Sequence, residues 1–410
     1  MKKYFFIFPF LLAFQFLSCQ ESSKAKSNKP DEVEPKDVEL SQKNKKIVTG
    51  AENTQAYFPL LENKKIGIVA NQTSIIGKRH LVDSLLHRGF DVVKVFSPEH
   101  GFRGKADAGE KVNNQTDSKT GLPIISLYGK NKKPTAAQLK GLDVVVFDLQ
   151  DVGVRFYTYI STLHYVMEAC AESNIPVIVL DRPNPNAFYI DGPVLDSNFR
   201  SFVGMHPVPV VYGITIGEYA GMINGEKWLK NKVQADLTVV PLLHYTHDSL
   251  YKLPVRPSPN LPNMASVYLY PSLCFLEGTK VSVGRGTDWP FQVIGFPNCP
   301  VGDFEFTPQP NEGAKNPKYK GVKCRGYDLR KEGEKFPEKY KQLQLKWLLE
   351  MYSAFPEKEN FFRTSFDLLA GTDELRNQLV QGKTEQEIKA TWQPGLQEFK
   401  KIRAKYLLYP

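Results

Sequence analysis

From residue 65 onward the chain alternates short runs of Val and Ile with stretches whose apolar positions recur at helical spacing. Four runs, residues 65–70, 91–96, 143–147 and 176–180, read as strands. A continuous apolar run of this length is what a strand covered on both faces requires. Helices are expected between them near 79–88, 135–140 and 161–173, followed by a helix near 215–229 and a strand near 236–240. Strand and helix in this alternation describe βαβ units around a buried parallel sheet.

The passage from Pro254 to Pro262 interrupts the pattern, because repeated proline resists both helix interiors and central strands. At 410 residues the chain exceeds one typical small core, so two folded domains are expected, 47–265 and 266–410. Within the second, strands are expected around 279–283 and 291–294 and helices at 338–352 and 372–381. A last helix starts at Thr384, with Glu387 three residues on in capping-box spacing, and Pro394 is expected to kink or break it.

The first residues follow a different logic. Lys2 and Lys3 precede an apolar run over 4–17 that is short for a bilayer span, and Ser18-Cys19 closes it. This resembles a lipobox, with Phe16 where Leu is commoner, so residues 1–18 read as a signal peptide and Cys19 as the site of lipid attachment. A plain signal peptide cut nearby is the competing reading. Residues 19–46 carry almost no large apolar side chain and read as a solvated tether. The expectation is an exported protein anchored by lipid to a bacterial membrane, facing the periplasm or cell surface.

Composition narrows the partners. The net charge of +9 comes without a Lys/Arg block or nucleic-acid motif, which argues against nucleic acid. Cys170, Cys274, Cys299 and Cys324 show no CxxC spacing and the histidines no metal-binding spacing, so no metal is expected. No GxGxxG or GxxxxGK[ST] follows any strand, and no cofactor is expected.

Each of the four strands is instead followed at once by polar residues that packing does not demand. These are Asn71, Gln72 and Thr73; Ser97, Glu99 and His100; Asp148, Gln150 and Asp151; and Asp181, Arg182 and Asn184. Strand ends of a parallel sheet share one edge, where ligands bind, so the four segments are expected to converge. Glu99 sits between Pro98, which fixes the backbone, and Gly101 and Gly104, which let the chain turn toward a ligand. A partly desolvated carboxyl there suits a general acid, with His100 beside it to orient it or bind substrate. Asp148, Asp151 and Asp181 are candidates for a second carboxylate, each with a competing role as helix cap or turn residue. Arg155, Tyr157 and Tyr159 alternate, as they would to face one way from an extended segment, and suit a sugar platform. Arg285, between Gly284 and Gly286, suits a carboxylate-binding loop, with a glycine-rich hairpin turn as the competing reading.

Several long stretches together resemble a known family, the exo-β-N-acetylmuramidases of the NamZ type. They are residues 67–73, Ser97 to Gly104, Phe147 to Tyr159, Leu180 to Pro185, Glu277-Gly278-Thr279, Gly284 to Thr287 and the ending Lys405 to Tyr409. The resemblance implies a Rossmann-like α/β domain followed by a smaller α/β domain that completes the cleft. It also implies hydrolysis of N-acetylmuramic acid from the non-reducing end of peptidoglycan fragments, with the catalytic glutamate at Glu99. Such a substrate carries a lactyl carboxylate, for which Arg103, Arg155, Arg182 and Arg285 are the candidate partners. Retaining, inverting and substrate-assisted mechanisms stay open, as do two other functions: a glycosidase for another amino sugar, and a lipid-anchored wall-fragment binder without catalysis.

Overall fold

The computed structural model describes residues 45–98, 101–103 and 115–410. The expected signal segment, Cys19, nearly all of the tether, Glu99, His100 and Gly104 lie outside the described residues.

The strands in chain order are β1 (Ile66–Ala70), β2 (Ile75–Ile76), β3 (Arg79–His80), β4 (Val92–Ser97), β5 (Gln115–Thr116), β6 (Pro123–Ser126), β7 (Val144–Asp148), β8 (Val177–Leu180) and β9 (Leu237–Val240). Seven of them form one sheet in the order β5-β6-β4-β1-β7-β8-β9, parallel except for the edge strand β5, while β2 and β3 form a separate hairpin. The chain moves outward from β1 to β4 and β6, then returns to β7 on the other side and moves out again. This Rossmann-like order leaves a switch point at the C-terminal ends of β1 and β7.

Every residue of β1, β7 and β8 is buried, as their uninterrupted apolar sequences require. Alternate side chains divide between two cores. Ile66, Ile68, Val144, Val146, Ile178 and Leu180 pack with helices α1 (Thr54–Leu61) and α2 (Leu81–His87). Val69, Val145, Phe147, Val177 and Val179 face the opposite side, toward α3 (Ala136–Leu139), α4 (Tyr159–Glu172) and α5 (Ile216–Gly225).

That second core continues without a break into the C-terminal half. Here α6 (Met264–Leu273) is followed by an antiparallel sheet of β10 (Val293–Phe296), β11 (Phe304–Phe306) and β12 (Cys324–Asp328), in the order β10-β12-β11. The remaining helices are α7 (Arg330–Glu334), α8 (Phe336–Lys339), α9 (Lys346–Ala354), α10 (Phe366–Ala370), α11 (Glu374–Val380) and α12 (Glu385–Arg403). Cys170, Cys274, Cys299 and Cys324 are buried free thiols.

Three C-terminal expectations need correction. Residues 279–283 form only two isolated bridges, Thr279 with Phe362 and Ser282 with Gly295 of β10, and the carbonyls of Thr279 and Val281 accept hydrogen bonds from the Lys318 ammonium at 2.7 and 2.8 Å. The single helix expected over 338–352 is two, α8 and α9. Between them the amides of Leu343, Gln344 and Leu345 are claimed by the side chains of Asp191, Ser272 and Glu385, all distant in sequence. Helix α12 runs unbroken through Pro394, because Ile388, Trp392, Leu396 and Phe399 seat one face in the core on both sides of it. Its start is as expected, with Thr384 and Glu387 closing a full capping box. Helix α6 was not anticipated beside the Pro-rich passage; Asn263 caps it.

The chain ends against the sheet domain. The Leu408 amide donates to Glu218 at 2.8 Å, and the Tyr409 hydroxyl donates to Asp181 at 2.6 Å while accepting from the Leu242 amide at 2.9 Å. Replacing Tyr409 by Phe removes a donor from a buried carboxylate and an acceptor from a buried amide. The variant is expected to lose about 1–3 kcal/mol of stability, read as a lower urea midpoint; an unchanged midpoint would contradict the role given to this contact.

Candidate active site

The polar residues after β1, β7 and β8 meet at one edge, and most of their hydrogen-bonding capacity is used among themselves. Asp148, the last residue of β7, and Arg182, just after β8, form a bidentate ion pair with both side chains buried, at 2.6 and 2.8 Å. Arg182 also donates to the Ile75 carbonyl at 3.1 Å, and the Ser74 hydroxyl donates to the Asp148 carbonyl. Asn71 donates to the Tyr159 hydroxyl at 2.7 Å and accepts from the amide and hydroxyl of Thr73, which in turn accepts from the Gln150 amide at 3.1 Å. The turns after β1 and β7 are thereby locked across the switch point.

Other candidates are committed farther from it. The Gln150 side chain donates to the carbonyls of Asp151 and Pro183, and Gln72 to those of Arg256 and Pro257. Asp151 accepts from the Gly153 amide at 2.7 Å and from the Tyr212 hydroxyl, while its other carboxylate oxygen is buried without a partner among the described residues. Burial pushes its pKa up to about 6 against the pull of those donors. Asp181 accepts from Thr215, Tyr409 and the amides of Arg182 and Gly217, and burial carries it to about 7. Asn184 donates to the Ile214 carbonyl and caps the turn at Asn186.

Arg155 does not face the same way as Tyr157 and Tyr159. The segment is a series of turns rather than extended, and the buried guanidinium donates to the carbonyls of Pro193, Val208, Leu369 and Ala370. It ties the sheet domain to α10. Around the Glu99 segment, Phe102 is buried edge-on against His80, and Arg103 lies over the Phe102 ring while pairing with Asp117 at 2.7 Å and Asp83 at 3.5 Å. Both described flanks, Pro98 at the end of β4 and Phe102-Arg103, are therefore anchored.

A pocket of ≈ 180 Å³ opens beside this network. Tyr157, Tyr159, Tyr270 and Phe291 form aromatic walls, and Glu277 and Arg285 supply charge. The two charged groups face each other in a bidentate pair at 2.5 and 2.9 Å. Burial pushes the Glu277 carboxyl up, but Arg285, with Lys318 and Arg363 behind it, more than offsets this and holds it below the usual range, ionised. Ser258 and Asn260 of the Pro-rich passage complete the lining, so that passage serves as a wall of the pocket. Sequence reasoning missed Glu277 and Asn260 as site residues. No spacing marks them; Glu277 stood in the sequence only as part of the resembling stretch Glu277-Gly278-Thr279, eight residues before a loop already suspected. Among the described residues no three His, Cys, Asp or Glu side chains come together as a metal site.

Family models of the N-terminal and C-terminal parts of exo-β-N-acetylmuramidase NamZ match residues 66–265 and 268–409. The chain belongs to the NamZ family. It is 38% identical over 394 residues to the peptidoglycan β-N-acetylmuramidase NamZ of Bacillus subtilis strain 168, covering 90% of this chain and 92% of that protein. Two crystal structures of DUF1343-family proteins from Bacteroides fragilis are similar over 89% of this chain and 99% of theirs, one at 47% identity with a TM-score of 0.81, the other at 29% and 0.76. As a member of this family the protein is a glycoside hydrolase that processes peptidoglycan.

The Asp148–Arg182 pair generates a stability prediction. Asp148→Asn leaves a buried guanidinium without its counter-charge and is expected to cost about 3–5 kcal/mol. Replacing both residues by apolar side chains of similar volume is expected to recover most of that loss. Urea unfolding of the single and double variants measures both, and a single variant as stable as wild type contradicts the assignment.

Proposed function

We propose that this protein is an exo-acting β-N-acetylmuramidase that removes N-acetylmuramic acid from the non-reducing end of peptidoglycan fragments, with Glu99 as general acid. The observation that carries the reading is the pocket: aromatic rings suited to a sugar face, beside a charged pair, in a chain of this family. Support for Glu99 comes from its segment, which leaves β4 at the sheet edge where the other three strand ends meet. In the reaction the Glu99 carboxyl gives its proton to the glycosidic oxygen as the anomeric carbon–oxygen bond breaks. Water adds to the anomeric carbon and gives up a proton that, directly or through solvent, restores the Glu99 carboxyl; the products are free N-acetylmuramic acid and a fragment shorter by one sugar.

The same proposal includes export and lipid attachment at Cys19, which rest on the charged, apolar and small-residue order of the first residues. Two experiments test these assignments. Glu99→Gln is expected to lower release of N-acetylmuramic acid from a chromogenic β-muramide by roughly 10²–10⁴-fold with an unchanged melting temperature; turnover like wild type would sink the assignment. In a bacterial host, wild type is expected in the membrane fraction and Cys19→Ala in the soluble one, and equal partition of the two removes the anchor.

A further inference from the structure

We infer that Arg285 is the residue that reads the carboxylate of the acidic sugar, and that Glu277 and Lys318 position it. The inference rests on the muramidase reading for the identity of the ligand. The four candidate arginines differ in what already holds them. Arg103 is paired with Asp117 and Asp83, Arg155 is buried among four carbonyls, and Arg182 is buried against Asp148. Arg285 alone of the four lines the pocket, with its side chain 24% exposed. Glu277 engages its Nε and Nη2, which leaves Nη1 without an acceptor among the described residues.

Local charge points the same way. Arg285, Lys318 and Arg363 all act on the one carboxylate of Glu277, so the group carries an excess of positive charge that an anionic substituent would balance. The geometry is fixed in advance. Gly284 and Gly286 flank Arg285 with φ of +77° and +83°, and a Cβ on either would meet backbone carbonyl oxygens, of Trp289 at 2.7 Å and Gln309 at 2.6 Å. Lys318 donates to the carbonyls of Leu276, Glu277, Thr279 and Val281 and so holds the segment that carries Glu277. Burial lowers its ammonium to about 8, which leaves it mostly charged at neutral pH. The Arg285 guanidinium also lies over the Phe291 ring at 5.1 Å, beside the wall where a sugar ring would stack.

N-Acetylmuramic acid and N-acetylglucosamine differ by the lactyl ether and its carboxylate, so calorimetric binding of the two sugars, and of the methyl ester of the acid, isolates the contact. Wild type is expected to bind the acid on the order of 10- to 100-fold more tightly than either neutral ligand, the range of a charge-assisted hydrogen-bonded pair. Arg285→Met is expected to erase the preference. Arg285→Lys should restore part of it, since a point charge lacks the planar fork. Equal binding of acid and ester by wild type overturns the inference, as does an acid preference that survives Arg285→Met. If Arg285→Met does not fold, the wild-type comparison of acid with ester still decides. Should wild type show the preference, and Arg285→Met lose it, while no muramide is hydrolysed, the inference stands and the muramidase reading falls.

Discussion

A carboxylate and a guanidinium sealed from water at the ends of adjacent strands, Asp148 and Arg182, set the geometry of everything at the sheet edge. Neither charge is tolerable alone in that position, and together they fix where β7 stops and where the chain leaves β8. Through the Ile75 carbonyl and the Ser74 hydroxyl the same pair holds the turn after β1. Asn71 passes the constraint to Tyr159, and Thr73 to Gln150. The pocket wall formed by Tyr157 and Tyr159 is thus positioned by a network already satisfied before any ligand arrives, which spares binding the cost of ordering it.

The sheet domain was readable because its strands must be apolar throughout and its helices must present one apolar face. Residues 66–70, 144–148 and 177–180 fall within a position or so of where hydrophobicity alone put them. The C-terminal half was less readable because its backbone is completed by single side chains from far along the sequence. Lys318 takes the carbonyls of Thr279 and Val281, and Asp191, Ser272 and Glu385 hold the backbone between Lys339 and Lys346. Such contacts leave no periodic trace. Pro394 does not break α12 for a related reason: the energy that carries the helix on through it comes from the core on both sides and not from the local sequence.

At the site the convergence of strand ends was legible, but the division of labour among them was not. Sequence position marks Asp148, Arg155, Arg182 and Asn184 as polar residues at a ligand edge, and only coordinates reveal that their partners are other protein groups. The groups that do reach the pocket come partly from outside the sheet: Arg285, suspected from its flanking glycines, and Glu277, present in a resembling stretch but given its place by its partner. A Rossmann-like sheet here supplies a frame, and the C-terminal half supplies the charge.

The tail contact has a consequence for how the molecule forms. Asp181 directly follows β8, yet one of its donors is Tyr409, 228 positions later. A growing chain that has already made every strand of the large sheet still carries a buried carboxylate short of a partner until its penultimate residue emerges. The last hydrogen bond at that edge is therefore a long-range one, of the kind that forms late because the chain between its partners must be closed first.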